Sequence, residues 1–475
     1  MIIRDLFCDK EKFSDDTLLE KNVTGISVDS RTTSSGDLFI ALDGREDGAR
    51  YAAEAVSRGA VAVVNEKALL GLPNILVEDT RLEYARLSAV FYGNPSERLK
   101  MIAVVGTNGK TTTAVLIYRL LRSLGKRTAV IGTLGTEIDG VKYDTDLTTP
   151  DPDELHRVLK LALDAGVEYV IMEVSAHAIY YKKIFGIRFA LAVFTNFSQD
   201  HLDFFGDMNT YREVKKSFFT DYEIDYVLTN NDDSLGREIA SIDSKTVLTY
   251  AFDSPADAFG IDLGTRRSVR YTVNVFDKIG VIKTGLFGRF NAYNSLAAVT
   301  AACILGLPFE DVVCAIREIA PVDGRYNVIN GAKTVIIDYA HTPDGLENIL
   351  REAKAQSKGK VISVFGCGGN RDKDKRKIMG KISSRLSDLT IVTTDNSRLE
   401  DPYEIMDEIA SGIDDGKDYF IIRNREDAIF YALSYAGRDD VVVLAGKGAE
   451  KYVDEGGVKI PYSDIETVKK ILGTV

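Results

Sequence analysis

The residues best placed to do chemistry run from Val104 to Thr113, VVGTNGKTTT. An apolar stretch enters a turn with glycines at 106 and 109, Lys110 follows, and Thr111 opens an amphipathic run. Such a turn exposes backbone N–H groups, and the helix N-terminus adds partial positive charge. The lysine reaches terminal phosphates, and the threonine hydroxyl is a ligand for Mg²⁺. Gly106, Thr107, Asn108, Gly109, Lys110, Thr111 and Thr112 are therefore candidates for holding ATP. The spacing is GxxGK[ST]; the longer GxxxxGK[ST] would need glycine where Val104 stands. A purely structural strand-to-helix turn is the ordinary alternative, and the Lys–Thr pair at the helix start argues against it.

A second group follows. Glu173 ends an apolar run in MEVSAH (172–177), His201 follows another in TNFSQDHLD (195–203), and Lys215 lies in YREVKK (211–216), which reads as a helix. Three of the four histidines, His177, His201 and His341, fall at strand ends rich in polar residues. A single one would read as a loop histidine; their shared location argues for a site. Mg²⁺ prefers oxygen ligands, which suits Glu173 and Thr111. An ammonium at Lys215 would be repelled by a metal and fits beside one only if modified to an anion; a solvated helix lysine is the alternative.

The elements that must position these groups are short β-branched runs, each followed by a turn and an amphipathic helix. They occur at 101–106, 169–174, 190–196, 226–230, 334–340, 360–366, 389–395 and 441–446. Val115, Leu116, Leu120, Leu121 and Leu124 share one helical face, and Gly125 is placed to end that helix. Strands apolar on both faces, alternating with helices, predict largely parallel sheets covered on both sides. The expected fold is α/β in three domains: residues 1–97, 98–325 and 326–475. The middle one carries a P-loop type of mostly parallel sheet, the last is Rossmann-like, and PVDGRYN (321–327) is the join.

Composition limits the function. With 475 residues, 59 basic and 71 acidic, the net charge is −12, which argues against a general nucleic-acid binder. No apolar stretch approaches the length of a membrane helix, and the N-terminus lacks a signal-peptide pattern. Cys8, Cys303, Cys314 and Cys367 have no metal-binding spacing and are expected to be thiols. A cytoplasmic monomer is expected.

The motif order GTNGKTT, MEVSAHAI, FTNFSQDHLD, YREVKK, GRFNAYN, GRYN, DYAHTPDGL, CGGNRDKDKR, DNSRLEDP and AGKGAE resembles the Mur ligases of peptidoglycan synthesis over almost the whole chain. DSRTTSSGDLFIALDG (29–44) is similar to the uridine-nucleotide segment of members that add the third peptide residue. The resemblance implies ATP-dependent amide ligation through an acyl phosphate. The D-Glu γ-carboxylate of UDP-N-acetylmuramoyl-L-Ala-D-Glu would be joined to a diamino acid, meso-diaminopimelate first among them. It implies Mg²⁺ on Thr111 and Glu173, and a second ion on Glu173, His201 and a carbamylated Lys215. It implies ATP contacts from Asn291, Arg325 and Asp338, and a uridine contact from Ser30. Thr148, Thr149, Ser175 and Lys183 would meet the sugar peptide. Arg371, Asn396, Arg398, Gly446 and Glu450 would take the amino acid, with Arg398 on its distal carboxylate and Glu450 on an ammonium.

Five positions depart from the family pattern: Ser397 for proline, Ala449 for histidine, Lys183 for arginine, Phe205 for histidine and Asn327 for glutamate. The first two flank the amino-acid residues, which leaves L-lysine and lanthionine as alternatives for the third residue. A relative joining another acid and amine, such as folylpolyglutamate synthetase, and a non-catalytic nucleotide binder are further alternatives. The presence of Lys110, Glu173 and His201 argues against the last.

Overall fold

The computed structural model describes residues 1–7, 13, 15–44, 46–145, 147–265, 268–330 and 333–473. Cys8 lies outside them; Cys303, Cys314 and Cys367 are free thiols. The chain forms two compact units, one of residues 1–103, 126–192 and 217–226, the other of 104–125, 193–216 and 227–475.

The first unit opens with strands Gly25–Ser27, Asp37–Ile40, Ala62–Asn65 and Asn74–Leu76, paired in chain order and all parallel. Leu38, Ile40, Val64 and Ile75 fill its core together with Tyr84 and Leu87. The latter pair comes from helix Thr80–Phe91, which starts where Asp79 accepts from the N–H groups of Arg81 and Leu82. Such a cap satisfies donors that the first helical turn leaves open. Farther along, Tyr169–Val174 pairs in parallel with Thr128–Gly132. All six residues of Tyr169–Val174 are buried, which is why the run reads as apolar on both faces. A small antiparallel extension, Gly135–Ile138 with Val141–Tyr143, was not anticipated.

The second unit carries the phosphate-loop helix, Lys110–Ser123, with Val115, Leu116, Leu120 and Leu121 buried and Gly125 left-handed just beyond its end. It packs on helix Arg289–Ile304. Strands Ala258–Gly264, Arg270–Val275 and Lys278–Lys283 form an antiparallel meander that the expectation of parallel sheets missed. Arg270–Val275 alternates buried and partly exposed positions, the pattern of a sheet with one wet face.

The C-terminal sheet runs Asn327–Asn330, Thr334–Asp338, Val441–Ala445, Val361–Phe365, Leu389–Val392, Tyr419–Ile421. Only the first pair is antiparallel. Val361–Phe365 and Val441–Ala445 are buried at every position. The four expected strands of this part are present to within two or three residues at their ends. Because the strands are parallel, their C-terminal ends share one edge, the usual place for a ligand in an open α/β sheet.

Candidate active site

The phosphate loop is held by its neighbours. Thr107 N–H donates to Asn196 O at 2.8 Å, and Asn108 N–H donates to Asn196 Oδ1 at 2.9 Å. Thr195 Oγ1 donates to Asn108 O at 2.7 Å. Gly106 and Gly109 are required here: Gly109 has φ +82°, and a Cβ would stand 1.9 Å from Thr195 Oγ1 at Gly106 and 2.5 Å from Asn294 Oδ1 at Gly109. Lys110 Nζ donates to Gly106 O at 3.0 Å and Thr107 O at 2.9 Å, folded over the loop. Arg325 Nη2 donates to Thr111 Oγ1 at 2.9 Å, and Asn108 Nδ2 donates to Asp344 Oδ2 at 2.9 Å. Asn291 is buried, its Nδ2 on Phe287 O and its Oδ1 accepting from Asn294. Arg325, Asp338 and the loop therefore share one unit.

Lys215 is not a solvated helix lysine. It is 1 % exposed, and its Nζ donates to Gly106 O at 2.6 Å above the Tyr211 ring. Burial first, and the Lys110 ammonium second, push its proton affinity well below that of an ordinary lysine. Phe205, one of the departures, stacks against Tyr211. Nearby, His201 Nε2 is 3.2 Å and His341 Nε2 3.9 Å from Asp200 Oδ2. Burial alone would raise the Asp200 pKa, but His201, His341, Lys375 and Lys110 outweigh it and hold it at about 2. Asp200 is thus an anion that composes the charge of this cluster, and sequence reasoning passed over it.

At the C-terminal strand ends, Asp338 ends Thr334–Asp338 and accepts from the N–H groups of Tyr326 and Ala340. Arg371 follows Val361–Phe365, Asn396 and Arg398 follow Leu389–Val392, and Gly446 and Glu450 follow Val441–Ala445. The sheet edge therefore gathers the five amino-acid candidates. Arg398 Nη1 donates to Gly369 O at 2.6 Å, and Arg371 Nη1 to Asn370 O at 3.4 Å. Neither guanidinium has an acidic partner among the described residues. Arg398 makes no ion pair with its sequence neighbours Glu400 and Asp401; Glu400 pairs with Arg376 and Lys373. Glu450 Oε2 accepts from Asn396 Nδ2 at 3.1 Å and from Lys447 Nζ at 2.9 Å. Lys447 is fully buried and also donates to Asn396 Oδ1 and Tyr452 O. It orients two of the candidates at once, and the GKG spacing around it was the available signal. Gly324, φ +67°, lies backbone to backbone against this loop, where a Cβ would stand 2.1 Å from Ala449 N.

The first unit supplies a separate hydroxyl cluster. Thr149 Oγ1 donates to Glu173 O at 2.9 Å and accepts from Ser175 N–H at 3.0 Å. Thr148 Oγ1 lies 3.0 Å from Thr133 Oγ1, and Glu173 Oε1 accepts from Thr133 N–H at 2.8 Å. Lys183 pairs with Asp151 at 2.6 Å, and Ser30 Oγ donates to Glu54 at 2.8 Å. Thr133 was missed, since one threonine after a strand carries no spacing signal.

Residues 22–104 match the Mur ligase family catalytic domain, 104–302 the Mur ligase middle domain, and 324–448 the Mur ligase glutamate ligase domain. Over 464 residues, 97 % of this chain and 96 % of the relative, the chain is 40 % identical to the UDP-N-acetylmuramoyl-L-alanyl-D-glutamate–2,6-diaminopimelate ligase of Aquifex aeolicus strain VF5. The chain belongs to the Mur ligase family. The ligase of the same name from Bacteroides fragilis is also 40 % identical, with 94 % of each chain covered. A solved structure of a ligase of that name matches with a TM-score of 0.71 at 29 % identity, covering 100 % of this chain and 99 % of that one. A folylpolyglutamate synthase from Mycobacterium tuberculosis shares the fold alone, at 18 % identity, TM-score 0.65, 77 % of this chain and 92 % of that one.

Mur ligases are ATP-dependent enzymes that form amide bonds. Glu173, in the first unit, and Thr111, in the second, are both buried oxygen-bearing side chains. Among the described residues no helix is long and apolar enough to cross a membrane.

Proposed function

We propose that this Mur ligase joins meso-2,6-diaminopimelate to the D-Glu γ-carboxylate of UDP-N-acetylmuramoyl-L-Ala-D-Glu in the cytoplasm, during peptidoglycan precursor synthesis. The observation that carries the choice of amino acid is the pair of guanidiniums Arg371 and Arg398, without an acidic partner among the described residues, at the sheet edge that also carries the Glu450 carboxylate. Such a set suits a substrate with an ammonium and a carboxylate at its far end. The relatives named above carry that activity in their names.

In this reading residues 1–97 take the uridine nucleotide through Ser30, residues 98–325 hold ATP, and residues 326–475 take the amino acid. Thr148, Thr149, Ser175 and Lys183 hold the sugar peptide. A γ-carboxylate oxygen attacks the γ-phosphorus of ATP and ADP departs, which turns a poor electrophile into an acyl phosphate. The amine then attacks the acyl carbon, phosphate leaves, and the nitrogen loses a proton. Lys110 and the loop N–H groups offset the charge on the transferred phosphoryl group. Asn291, Arg325 and Asp338 meet the rest of the nucleotide. Bound Mg²⁺ would supply charge neutralisation on the phosphates, held by Thr111 and Glu173, with His201 and a carbamylated Lys215 for a second ion. A buried, neutral Lys215 amine is the form that adds carbon dioxide, releasing one proton and leaving an anionic oxygen ligand.

An amino-acid panel tests the substrate. With ATP and the UDP-dipeptide, kcat/KM for meso-diaminopimelate should exceed that for L-lysine by about 10²-fold or more, because lysine leaves a guanidinium unpaired. Arg398→Ala should erase most of that preference. Equal values for the two amino acids in the native enzyme, or a preference unchanged in Arg398→Ala, would overturn the assignment; lanthionine in the panel identifies a pocket shaped by Ser397 and Ala449.

A further inference from the structure

Arg376, on helix Asp374–Leu386, has no solvent exposure, yet it ends among acids. Its Nη1 donates to Glu408 Oε2 at 2.7 Å. Its Nη2 reaches both oxygens of Glu400, at 3.0 and 3.2 Å, and Gly368 O at 3.4 Å. Its Nε is buried without an acceptor. Glu400 also accepts from Asn370 N–H, and Lys373 Nζ lies 3.5 Å away.

Glu400 stands two residues after Arg398, which adopts the left-handed backbone at φ 52°. It is the nearest carboxylate in sequence to that guanidinium and its natural competitor. We propose that Arg376 is a positioning residue that withholds Glu400 from Arg398, so that Arg398 stays open to the distal carboxylate of the incoming amino acid. The inference rests on the amino-acid assignment above and names what keeps that site selective.

The geometry supports it in three ways. Arg376 Nη2 occupies both oxygens of Glu400 while Nη1 holds Glu408, a span across two carboxylates that a point charge would not reproduce. The two loops that carry Arg371 and Arg398 are stitched at the same place, by Gly369 N–H on Asn396 O at 2.8 Å and Leu399 N–H on Asn370 Oδ1 at 3.1 Å. Arg398 itself is fixed from the other side, its N–H on Asp454 O at 3.0 Å and its carbonyl accepting from Gly456 N–H at 2.6 Å. With the backbone so held, the partner of the guanidinium is decided by which carboxylate is available. A carboxylate tethered two residues away competes at an effective concentration on the order of millimolar or higher. Freed, it would oppose substrate; held by Arg376, it does not.

The test is steady-state kinetics on the native enzyme, Arg376→Met, Glu400→Gln and the double variant, with meso-diaminopimelate and L-lysine as acceptors and ATP varied separately. Arg376→Met should raise KM for meso-diaminopimelate about tenfold or more and lower its preference over lysine by a similar factor, as an internal competitor would. KM for ATP should not move. Adding Glu400→Gln should return both quantities to near native values, since the amide keeps the acceptor for Asn370 N–H but cannot compete as an anion. Glu400→Gln alone should keep the native preference. A merely structural Arg376 predicts a lower folded fraction with the preference intact. An unchanged preference in folded Arg376→Met, or a double variant no better than the single, overturns the inference while leaving the substrate assignment standing. A native enzyme without the preference overturns both. Should Arg376→Met fail to fold, Arg376→Lys serves: it keeps one charge but cannot span Glu400 and Glu408, and a preference equal to native would overturn the inference.

Discussion

Lys110→Ala should lower kcat for ligation by about 10²–10³ while the protein stays folded, the usual scale for removing one preorganised charge from a phosphoryl-transfer site. The fold should survive because the loop is held by other bonds: Thr107 N–H to Asn196 O, Asn108 N–H to Asn196 Oδ1, and Thr195 Oγ1 to Asn108 O. The bonds from Lys110 Nζ to the carbonyls of Gly106 and Thr107 are additional to that frame. ADP release dependent on both co-substrates, measured beside thermal unfolding, separates the two effects. Turnover near native would remove Lys110 from the phosphoryl transfer.

Lys215→Ala should abolish ligation, and millimolar acetate or formate should restore part of it by filling the position of the lost carbamate. Native enzyme in buffer stripped of carbon dioxide should lose activity and regain it on adding bicarbonate. A fully buried lysine is costly as a cation, and among the described residues it donates to the Gly106 carbonyl, which also accepts from a second lysine. Both facts favour the neutral amine. Truncation leaves a cavity as well, so stability must be followed, but a cavity does not respond to small carboxylates. Full activity of Lys215→Ala without carbon dioxide would refute the carbamate.

The parallel strands were legible because burial on both faces leaves unbroken apolar runs such as YVIMEV and VVVLA. The meander at 258–283 was not, because its residues alternate and one strand shifts register between Ile261 and Gly264. At the site, the phosphate loop declares itself through spacing. The residues that set its charge do not. Asp200, Lys447 and Arg376 gain their meaning from partners far apart in sequence, His341 for the first and Glu400 for the last. Lys215 was legible as a position but not as buried; helix periodicity gives a face, and what covers that face is tertiary. The carbamate is an expectation from family resemblance, and the burial that disfavours a proton on the amine is visible only in the fold.

The close approach of Gly324 to Gly448 and Ala449 has a thermodynamic consequence. The next residue, Arg325, bonds the Thr111 hydroxyl at the mouth of the phosphate loop, while the segment beneath Gly324 continues into Glu450. With no side chain to cushion the contact, a shift of one strand of backbone is passed directly to the other. In the proposed assignment, nucleotide and amino acid would act on the two sides of this contact. Cooperativity between them must be mutual: whatever factor ATP adds to amino-acid affinity, the amino acid returns to ATP. Larger residues at 324 would be felt at both ends, as a change in that factor.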